Sequence, residues 1–437
     1  MSTNIRKIAF ELLRSYEEEG RYVNLLLSSP KVSGLSKEEK SAVTALLYTA
    51  VEKKITYDYL ISAFSKRGIS DIDPYVRDVL RIGMCQILDM KSVPDFAAVN
   101  ESVKLARHKG EAGFINAVLR SAVRNKDALP FPPKDKNLAR YLSVIYSVPL
   151  PTVKLFMSIV GSEEIEALLS AMSDEKGLSI TVNETKISRY KLIEKLSGFG
   201  AKPSSYTNNG IIFDKSISPK ELPGFSEGEF FVQDEASRIS AVALDVKPGD
   251  KIIDVCSAPG GKSFLAGIKA GKEGSVTSFD IHESKISLIT DGAKRLGLDN
   301  VSADVRDATA PNDALFGSFD RVICDVPCSG FGVFAKKPDL RYKDISSVSD
   351  LPPLQYEILE KSAAYLKNGG VLVYSTCTIN PAENEEITDK FVSLHPEFLY
   401  EGAEINNVDF SSGKATLLPH KNGTDGFYIA KLRKNND

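Results

Sequence analysis

The chain has 437 residues, of which 42% are hydrophobic and 26% charged, with a net charge of −3; this composition is typical of a soluble globular protein of two or three domains. No apolar run approaches the roughly 20 residues that a membrane span needs, and the N-terminal stretch lacks the core and cleavage site of a signal peptide. Five dispersed cysteines without a CxxC pair and four histidines argue against a disulfide framework or a zinc site. We expect a cytoplasmic, monomeric protein that binds no metal and no membrane.

The first part of the chain, residues 1–130, is predicted to be entirely helical. Ser36 begins a capping box ahead of an apolar helical stripe, and Asp73 precedes a proline at the first position of another helix. Cys85 lies within that second helix and is interpreted as a core residue, because a buried free cysteine behaves as a small hydrophobe.

A small α/β domain is predicted for residues 131–225. It follows a proline-rich break at 128–136. Strand-like alternation at 178–182 and again at 211–213 flanks a helical stretch at 188–196.

The remainder, residues 226–437, alternates strands with helices, which is the pattern of a parallel α/β sheet. The last predicted strand alternates like an antiparallel edge strand. The six predicted strands cover residues 252–255, 275–279, 301–303, 321–324, 371–374 and 427–432.

The stretch KIIDVCSAPGGK, residues 251–262, combines a buried strand, a glycine turn and the start of a helix, which is the arrangement of nucleotide-binding loops. It lacks the three-glycine fingerprint of NAD-binding folds. Asp254, Asp280, Asp307 and Asp325 each lie at or just beyond the carboxyl end of a predicted strand, where open α/β sheets bind ligands. The pattern predicts a nucleoside cofactor.

Two cysteines also lie just beyond strand ends, Cys328 in DVPCSG and Cys377 in YSTCT. If their strands are neighbours, both thiols face one cleft; otherwise each could be a small apolar filler. No histidine lies beside either in the sequence, so a Cys-His hydrolase is poorly supported. A thiol near a methyl donor suits cytosine chemistry, because a thiolate that adds to carbon 6 makes carbon 5 nucleophilic. The spacing does not rank the two thiols.

These signatures carry a resemblance to a known family. DVCSAPGGK, DVPCSG and YSTCT followed by NPAENE resemble the Sun-type RNA cytosine-5 methyltransferases, in particular the bacterial group that acts on 16S rRNA. AVNESVKLARHKG (98–110) and GFINAVLR (113–120) resemble the helical RNA-binding domain of the NusB antitermination factor. The resemblance spans nearly the whole chain. It implies a NusB-like all-α domain, a small α/β domain and a Rossmann-like class I methyltransferase domain.

The resemblance also implies roles for individual residues. The cofactor would be S-adenosylmethionine, with Asp280 at the ribose, Asp307 at the adenine and Asp325 beside the methyl transfer site and the target base. Cys377 would be the nucleophile, and Cys328 would assist release of the product. The substrate would be 16S rRNA. The family's cofactor-binding loop corresponds to Cys256, Ser257, Ala258, Pro259, Gly260, Gly261 and Lys262.

Two other functions fit parts of the sequence. A non-catalytic RNA-binding factor would use the helical domain, but the intact cysteine motifs argue against it. A DNA cytosine-5 methyltransferase would use Cys328 as nucleophile, but Cys377 and the NusB-like domain argue against that.

The chain departs from the family pattern at three places. Ser257 replaces a common alanine, Thr181 a usual arginine, and Arg341-Tyr342 a frequent Lys-Trp pair. The last two changes leave the corresponding RNA contacts without support.

Overall fold

The computed structural model describes residues 3–310 and 312–435. It divides into two compact units, the first comprising Met1–Leu169 with Lys337–Tyr342 and the second comprising Ser170–Lys336 with Lys343–Asp437. Among the described residues, no single helix has the length and apolarity to cross a bilayer; helices Leu138–Ile145 and Leu150–Ser173 meet that criterion only as a pair, with a bend of 116° between them.

The first unit is helical, as predicted. Its last helix enters the second unit and is interrupted at Gly161, where φ is 80°. The helices are α1 (Thr3–Glu19), α2 (Val23–Leu27), α3 (Pro30–Ser33), α4 (Lys37–Glu52), α5 (Lys54–Ser65), α6 (Pro74–Leu88), α7 (Asp95–Val103), α8 (Lys109–Arg124), α9 (Leu138–Ile145) and α10 (Leu150–Ser173).

Local signals in the sequence determine where two of these helices begin. The Ser36 side chain accepts from the Glu39 N–H while the Glu39 carboxylate accepts from the Ser36 N–H, so the predicted capping box at α4 is confirmed. At α6 the Asp73 carboxylate accepts from the Tyr75 and Val76 N–H groups, which caps the helix without a reciprocal bond. Cys85 is fully buried in the core of this unit, as predicted.

A short segment from a distant part of the chain, Lys337–Tyr342, completes the helical unit. The guanidinium of Arg341 is buried and donates to the backbone oxygen of Tyr146 (3.1 Å) and to the Glu52 carboxylate (3.3 Å). The Tyr342 hydroxyl donates to the Glu52 backbone oxygen (2.6 Å) and lies 2.9 Å from the Ser147 hydroxyl. Arg341 and Tyr342, which depart from the family pattern, therefore contact residues within the helical unit.

The second unit begins with a small antiparallel sheet in the order β2-β3-β1-β4. Thr181, a second residue that departs from the family pattern, is fully buried in β1. Its hydroxyl donates to Gln233 and accepts from Arg238. The elements are β1 (Ser179–Val182), α11 (Arg189–Lys195), β2 (Lys202–Pro203), β3 (Gly210–Ile212) and β4 (Phe230–Val232).

The large sheet has the order β10-β12-β9-β8-β5-β6-β7, and β11 pairs with β12. Strands β5 to β9 run parallel to one another, whereas β12 runs antiparallel to β9. The strands are β5 (Lys251–Asp254), β6 (Ser275–Asp280), β7 (Val301–Val305), β8 (Phe319–Asp325), β9 (Leu366–Thr376), β10 (Phe398–Tyr400), β11 (Lys414–Leu417) and β12 (Phe427–Lys434).

Helices connect the strands, and together with the helical first unit and the small sheet they confirm the predicted fold class. They are α12 (Glu235–Ala243), α13 (Gly261–Ala270), α14 (Glu283–Leu296), α15 (Ile345–Val348), α16 (Leu351–Ala363), α17 (Glu385–Leu394) and α18 (Pro419–Asn422). The domain boundaries at 130 and 225 stay predictions.

The prediction that β12 is an edge strand was wrong. It pairs with β9 on one side and with β10 and β11 on the other. These two outer strands have three and four residues, too short to show a clear alternation in the sequence. Their pairing accounts for the continuous burial of the first six residues of β12.

The strand order of the large sheet reverses between β5 and β8. The chain leaves β5 for β6 and β7 on one side, then returns to β8 on the other side of β5. This reversal creates a crevice outside the carboxyl ends of β5 and β8, the usual ligand position in such sheets.

Candidate active site

The glycine turn after β5 has a conformation that requires glycine. Gly260 has a φ of 107°, and a Cβ at this position would lie 2.5 Å from the Phe264 ring. The turn is tied to β6 by the Ser257 N–H, which donates to the backbone oxygen of Phe279 (2.8 Å). Residues 256–262 therefore form a defined turn from β5 into α13, in which glycine is needed at position 260 because the Phe264 ring packs against it.

Asp280 ends β6 beside this loop and is largely buried. Its Oδ2 accepts from the Ala258 N–H (3.3 Å) and its Oδ1 from the His282 N–H (3.0 Å). A carboxylate offers about four lone-pair positions, so both oxygens can accept further bonds from a ligand.

Two of the three remaining strand-end carboxylates, Asp254 and Asp307, have different surroundings. Asp307 is exposed beyond β7 and accepts from the Thr309 N–H (2.9 Å) and hydroxyl (2.7 Å), a local turn. Asp254 is buried beneath the loop, where it accepts from the Ser263 hydroxyl (2.6 Å), and burial raises its pKa to about 7. Asp254 therefore supports the loop from below, whereas Asp307 lies at the surface.

A lysine from the loop reaches the end of β8. The buried Lys262 ammonium lies 2.7 Å from Asp325 Oδ2 and 3.0 Å from the Ser237 hydroxyl. The Ser375 hydroxyl, from β9, donates to Asp325 Oδ1 (2.6 Å). Both oxygens of Asp325 are thus held, and charge-assisted bonds of this kind fix orientation well. The sequence analysis did not identify Ser237 or Ser375.

The two cysteines that follow β8 and β9 lie together. Cys328 Sγ is 3.1 Å from Cys377 Sγ, and it accepts from the Cys377 N–H at 3.3 Å. The separation exceeds the roughly 2.05 Å of a disulfide, so the two sulfurs are not joined, and both residues are half-buried. The hydrogen bond with Cys377, followed by burial, raises the pKa of the Cys328 thiol well above its ordinary value. Because β8 and β9 are neighbours, both thiols lie at the same end of the sheet.

The remaining cysteines of this unit have other surroundings. Cys324 is buried within β8, and Cys256 is half-buried in the loop. Burial raises the pKa of both thiols. Among the residues that the structure describes, no cluster of His, Cys, Asp and Glu side chains could hold a metal ion.

Known proteins match this chain along its length. Residues 241–433 match the family 16S rRNA methyltransferase RsmB/F, and residues 3–124 match the NusB family. A probable ribosomal RNA small subunit methyltransferase B of Bacillus subtilis is 34% identical, with 99% of both chains covered. The chain belongs to the RsmB/F family of 16S rRNA methyltransferases. The family resemblance inferred from the cysteine and glycine motifs is thereby confirmed.

A second relative supports membership of the RsmB/F family, and a solved structure shares the fold. A relative from Synechocystis with the same name is 32% identical and covers 98% of this chain and 99% of its own length. The solved structure of PH0851 aligns with a TM-score of 0.81 at 25% identity, with 99% of each chain covered. As an RsmB/F family member, the chain is an rRNA methyltransferase that uses S-adenosylmethionine.

The residues at the crevice fit that cofactor. Asp280, beside the loop, presents two carboxylate oxygens that can accept hydrogen bonds from two ribose hydroxyls. Lys262, at the start of α13, bonds to Asp325 at the end of β8. Cys328 follows Asp325 three residues later in the chain.

Proposed function

We propose that the protein transfers a methyl group from S-adenosylmethionine to carbon 5 of a cytidine in 16S rRNA, through a covalent adduct with Cys377. The observation that carries this proposal is the pair of free thiols, 3.1 Å apart, beside the ion pair of Lys262 and Asp325. The methylation reaction needs one sulfur to attack the base. The second sulfur, that of Cys328, is available to assist the later release of the methylated base.

The cofactor is assigned to the loop of residues 256–262, together with Asp280 for the ribose hydroxyls, Asp307 for the adenine and Asp325. When bound, S-adenosylmethionine supplies an electrophilic methyl group. The loop contributes backbone N–H groups and no bulk at Gly260. The buried position of Asp280 strengthens its hydrogen bonds, because the effective dielectric there is lower than in water.

Cys377 acts as the nucleophile in this proposal. Its thiolate forms a bond to carbon 6 of the cytosine, which makes carbon 5 electron-rich enough to accept the methyl group. A water molecule then takes the proton from carbon 5 as the bond between carbon 6 and the Cys377 sulfur breaks, which restores the double bond between carbons 5 and 6. Cys328, whose pKa is raised by its bond with Cys377 and by burial, stays protonated and assists this release.

Asp325 orients the target base in the same proposal. A carboxylate accepts hydrogen bonds from the exocyclic amine of cytosine, which uracil lacks. Lys262 and Ser375 hold its two oxygens, so the carboxylate cannot rotate freely. The target base must leave its stack to reach this position.

Alanine at position 280 is expected to weaken S-adenosylmethionine binding by about 1.5–3 kcal/mol, the range for hydrogen bonds to a charged group. Part of the loss should come from the released Ala258 N–H. Titration calorimetry measures the affinity. Asp291→Ala is a matched control, because Asp291 is exposed on α14. Equal affinities in the two variants would remove Asp280 from the ribose site.

We assign RNA binding to the helical unit, whose residues 3–124 match the NusB family, and we place the protein in the cytoplasm. Deletion of residues 1–169, which ends at the boundary of that unit, should leave S-adenosylmethionine affinity within about twofold because the large sheet has its own core. Methylation at limiting RNA should fall through a higher KM. Steady-state kinetics over a range of RNA concentrations tests this.

The deletion also removes the partners of Arg341 and Tyr342. Tyr342→Phe in the full chain is therefore the control, since it removes only the hydroxyl bonds to Glu52 and Ser147. An unchanged KM for RNA in the deleted protein would contradict the assignment of RNA binding to the helical unit.

A further inference from the structure

A buried carboxylate is bonded to the loops that carry the two thiols, and it has no role in the mechanism described above. Glu383 lies in the turn Pro381–Glu383 after β9 and is fully buried. Among the described residues, the partners of its carboxylate are all neutral groups. A buried charge without a cation is unfavourable unless hydrogen bonds replace its hydration.

Four neutral donors satisfy this carboxylate. Its Oε1 accepts from the Ser329 hydroxyl (2.6 Å) and the Asn380 amide (3.0 Å). Its Oε2 accepts from the Ser329 N–H (2.8 Å) and the Gln355 amide (3.0 Å). The four bonds match the capacity of two carboxylate oxygens. Hydrogen bonds to a charged acceptor are roughly twice as strong as neutral ones.

Two of the donor residues, Ser329 and Gln355, link Glu383 to the loop that carries Cys328. Ser329 follows Cys328 directly, and the Gln355 amide that reaches Glu383 also donates to the Pro327 backbone oxygen (3.0 Å). The residues on either side of Cys328 are therefore both linked to this carboxylate.

The other loop is tied to the same group. Asn380 lies three residues after Cys377, and the Thr378 hydroxyl is 2.9 Å from that of Ser329. The Tyr374 hydroxyl donates to the Glu383 backbone oxygen (2.7 Å), which anchors the turn to β9. Glu383 thus joins the loop of Cys328 to the loop of Cys377.

We propose that Glu383 is a positioning residue that sets the separation and orientation of Cys328 and Cys377, so that one can attack the base and the other can assist its release. This inference rests on the proposed covalent mechanism. Each loop ends a different strand, and the sulfurs themselves share only weak bonds. A charged acceptor with four donors from three segments gives a more specific geometry than apolar packing.

The negative charge has a second consequence at Cys328. After the hydrogen bond with Cys377 and burial, the charge of Glu383 contributes to the raised pKa of that thiol. It therefore helps to keep Cys328 protonated beside the nucleophile.

The test is Glu383→Gln, which keeps the shape of the side chain but turns an NH₂ group toward two donors. We expect kcat for rRNA methylation to fall by about 10- to 100-fold, since displacements near 1 Å have effects of this size. The KM for RNA and the Kd for S-adenosylmethionine should stay within about twofold of the unsubstituted protein. Glu386→Gln is the matched control, because Glu386 is exposed on α17 and undergoes the same chemical change.

Geometry can be measured separately from catalysis. The azo reagent diamide takes up the two thiol hydrogens as Cys328 and Cys377 join in a disulfide, and the rate depends on how well the sulfurs are aligned. That rate should fall in parallel with kcat in Glu383→Gln and stay unchanged in Glu386→Gln. Ser329→Ala, which keeps the carboxylate and three donors, should give smaller decreases in both quantities and decides the question if Glu383→Gln does not fold.

Two results would overturn the inference: a kcat for Glu383→Gln equal to that of Glu386→Gln, or a loss of kcat with an unchanged diamide rate. Failure of the proposed function is a different outcome. In that case the unsubstituted protein would bind S-adenosylmethionine but form no methylated cytidine.

Discussion

Cys377→Ala is expected to abolish methyl transfer to rRNA and to form no covalent RNA complex. The expected rate loss is about 10⁴-fold or more, because removal of a covalent nucleophile removes most of kcat. Cys328 cannot replace it. Besides the hydrogen bond with Cys377, burial and the charge of Glu383 raise the pKa of the Cys328 thiol, and these two causes remain in the variant. Transfer of labelled methyl groups to rRNA measures the loss.

Cys324→Ala is the control for this experiment, because it removes a thiol that is buried within β8. It should retain methyl transfer even if it lowers stability. Thermal unfolding and S-adenosylmethionine affinity of both variants show whether they are folded. If Cys377→Ala methylated rRNA at the rate of Cys324→Ala, the adduct with Cys377 would be refuted.

The second large effect is expected from Cys328→Ala, which should form the adduct, transfer one methyl group and then stall. In the proposed mechanism, Cys328 assists the step in which Cys377 leaves carbon 6. Without it, the base stays attached to Cys377. The observable is a protein–RNA band that survives denaturing gel electrophoresis and carries labelled methyl. Addition of Cys377→Ala to this variant should remove the band.

The three possible functions give different patterns in these experiments. A DNA-type mechanism, with Cys328 as nucleophile, predicts the reverse: the band would be absent in Cys328→Ala and present in Cys377→Ala. A non-catalytic RNA-binding factor predicts no band in either variant and no methylation by the unsubstituted chain. The 3.1 Å separation of the sulfurs is compatible with either order of thiols, so the trapped band is the decisive measurement.

Much of the fold followed from local signals in the sequence. The capping box at Ser36 and the Asp73 cap depend on groups within three residues of each other, so the sequence shows them directly. Strands β5, β8 and β9 were found because buried parallel strands contain short, continuous apolar runs. Strands β10 and β11 were missed since three or four residues carry too little pattern, and this turned β12 from an edge into an interior strand.

In the candidate site, too, local features could be predicted from the sequence, whereas contacts between distant segments could not. The glycine turn of residues 256–262 and the position of Asp280 at a strand end could be predicted, because strand, turn and helix are contiguous there. The depth of Asp254 beneath the loop could not, since burial depends on neighbours from other strands. The signature NPAENE was visible, but nothing in it indicates that Glu383 bonds to Ser329.

The sequence by itself therefore determined most of the elements, the glycine turn after β5 and the residue types that the proposed chemistry requires. The tertiary structure decided which of these meet. Cys328 and Cys377 are 49 residues apart, Ser329 and Glu383 are 54 apart, and Arg341 and Glu52 are 289 apart. Contacts over such separations depend on strand order and on packing between elements. A local pattern specifies neither, because each residue's own segment would look the same with a different partner.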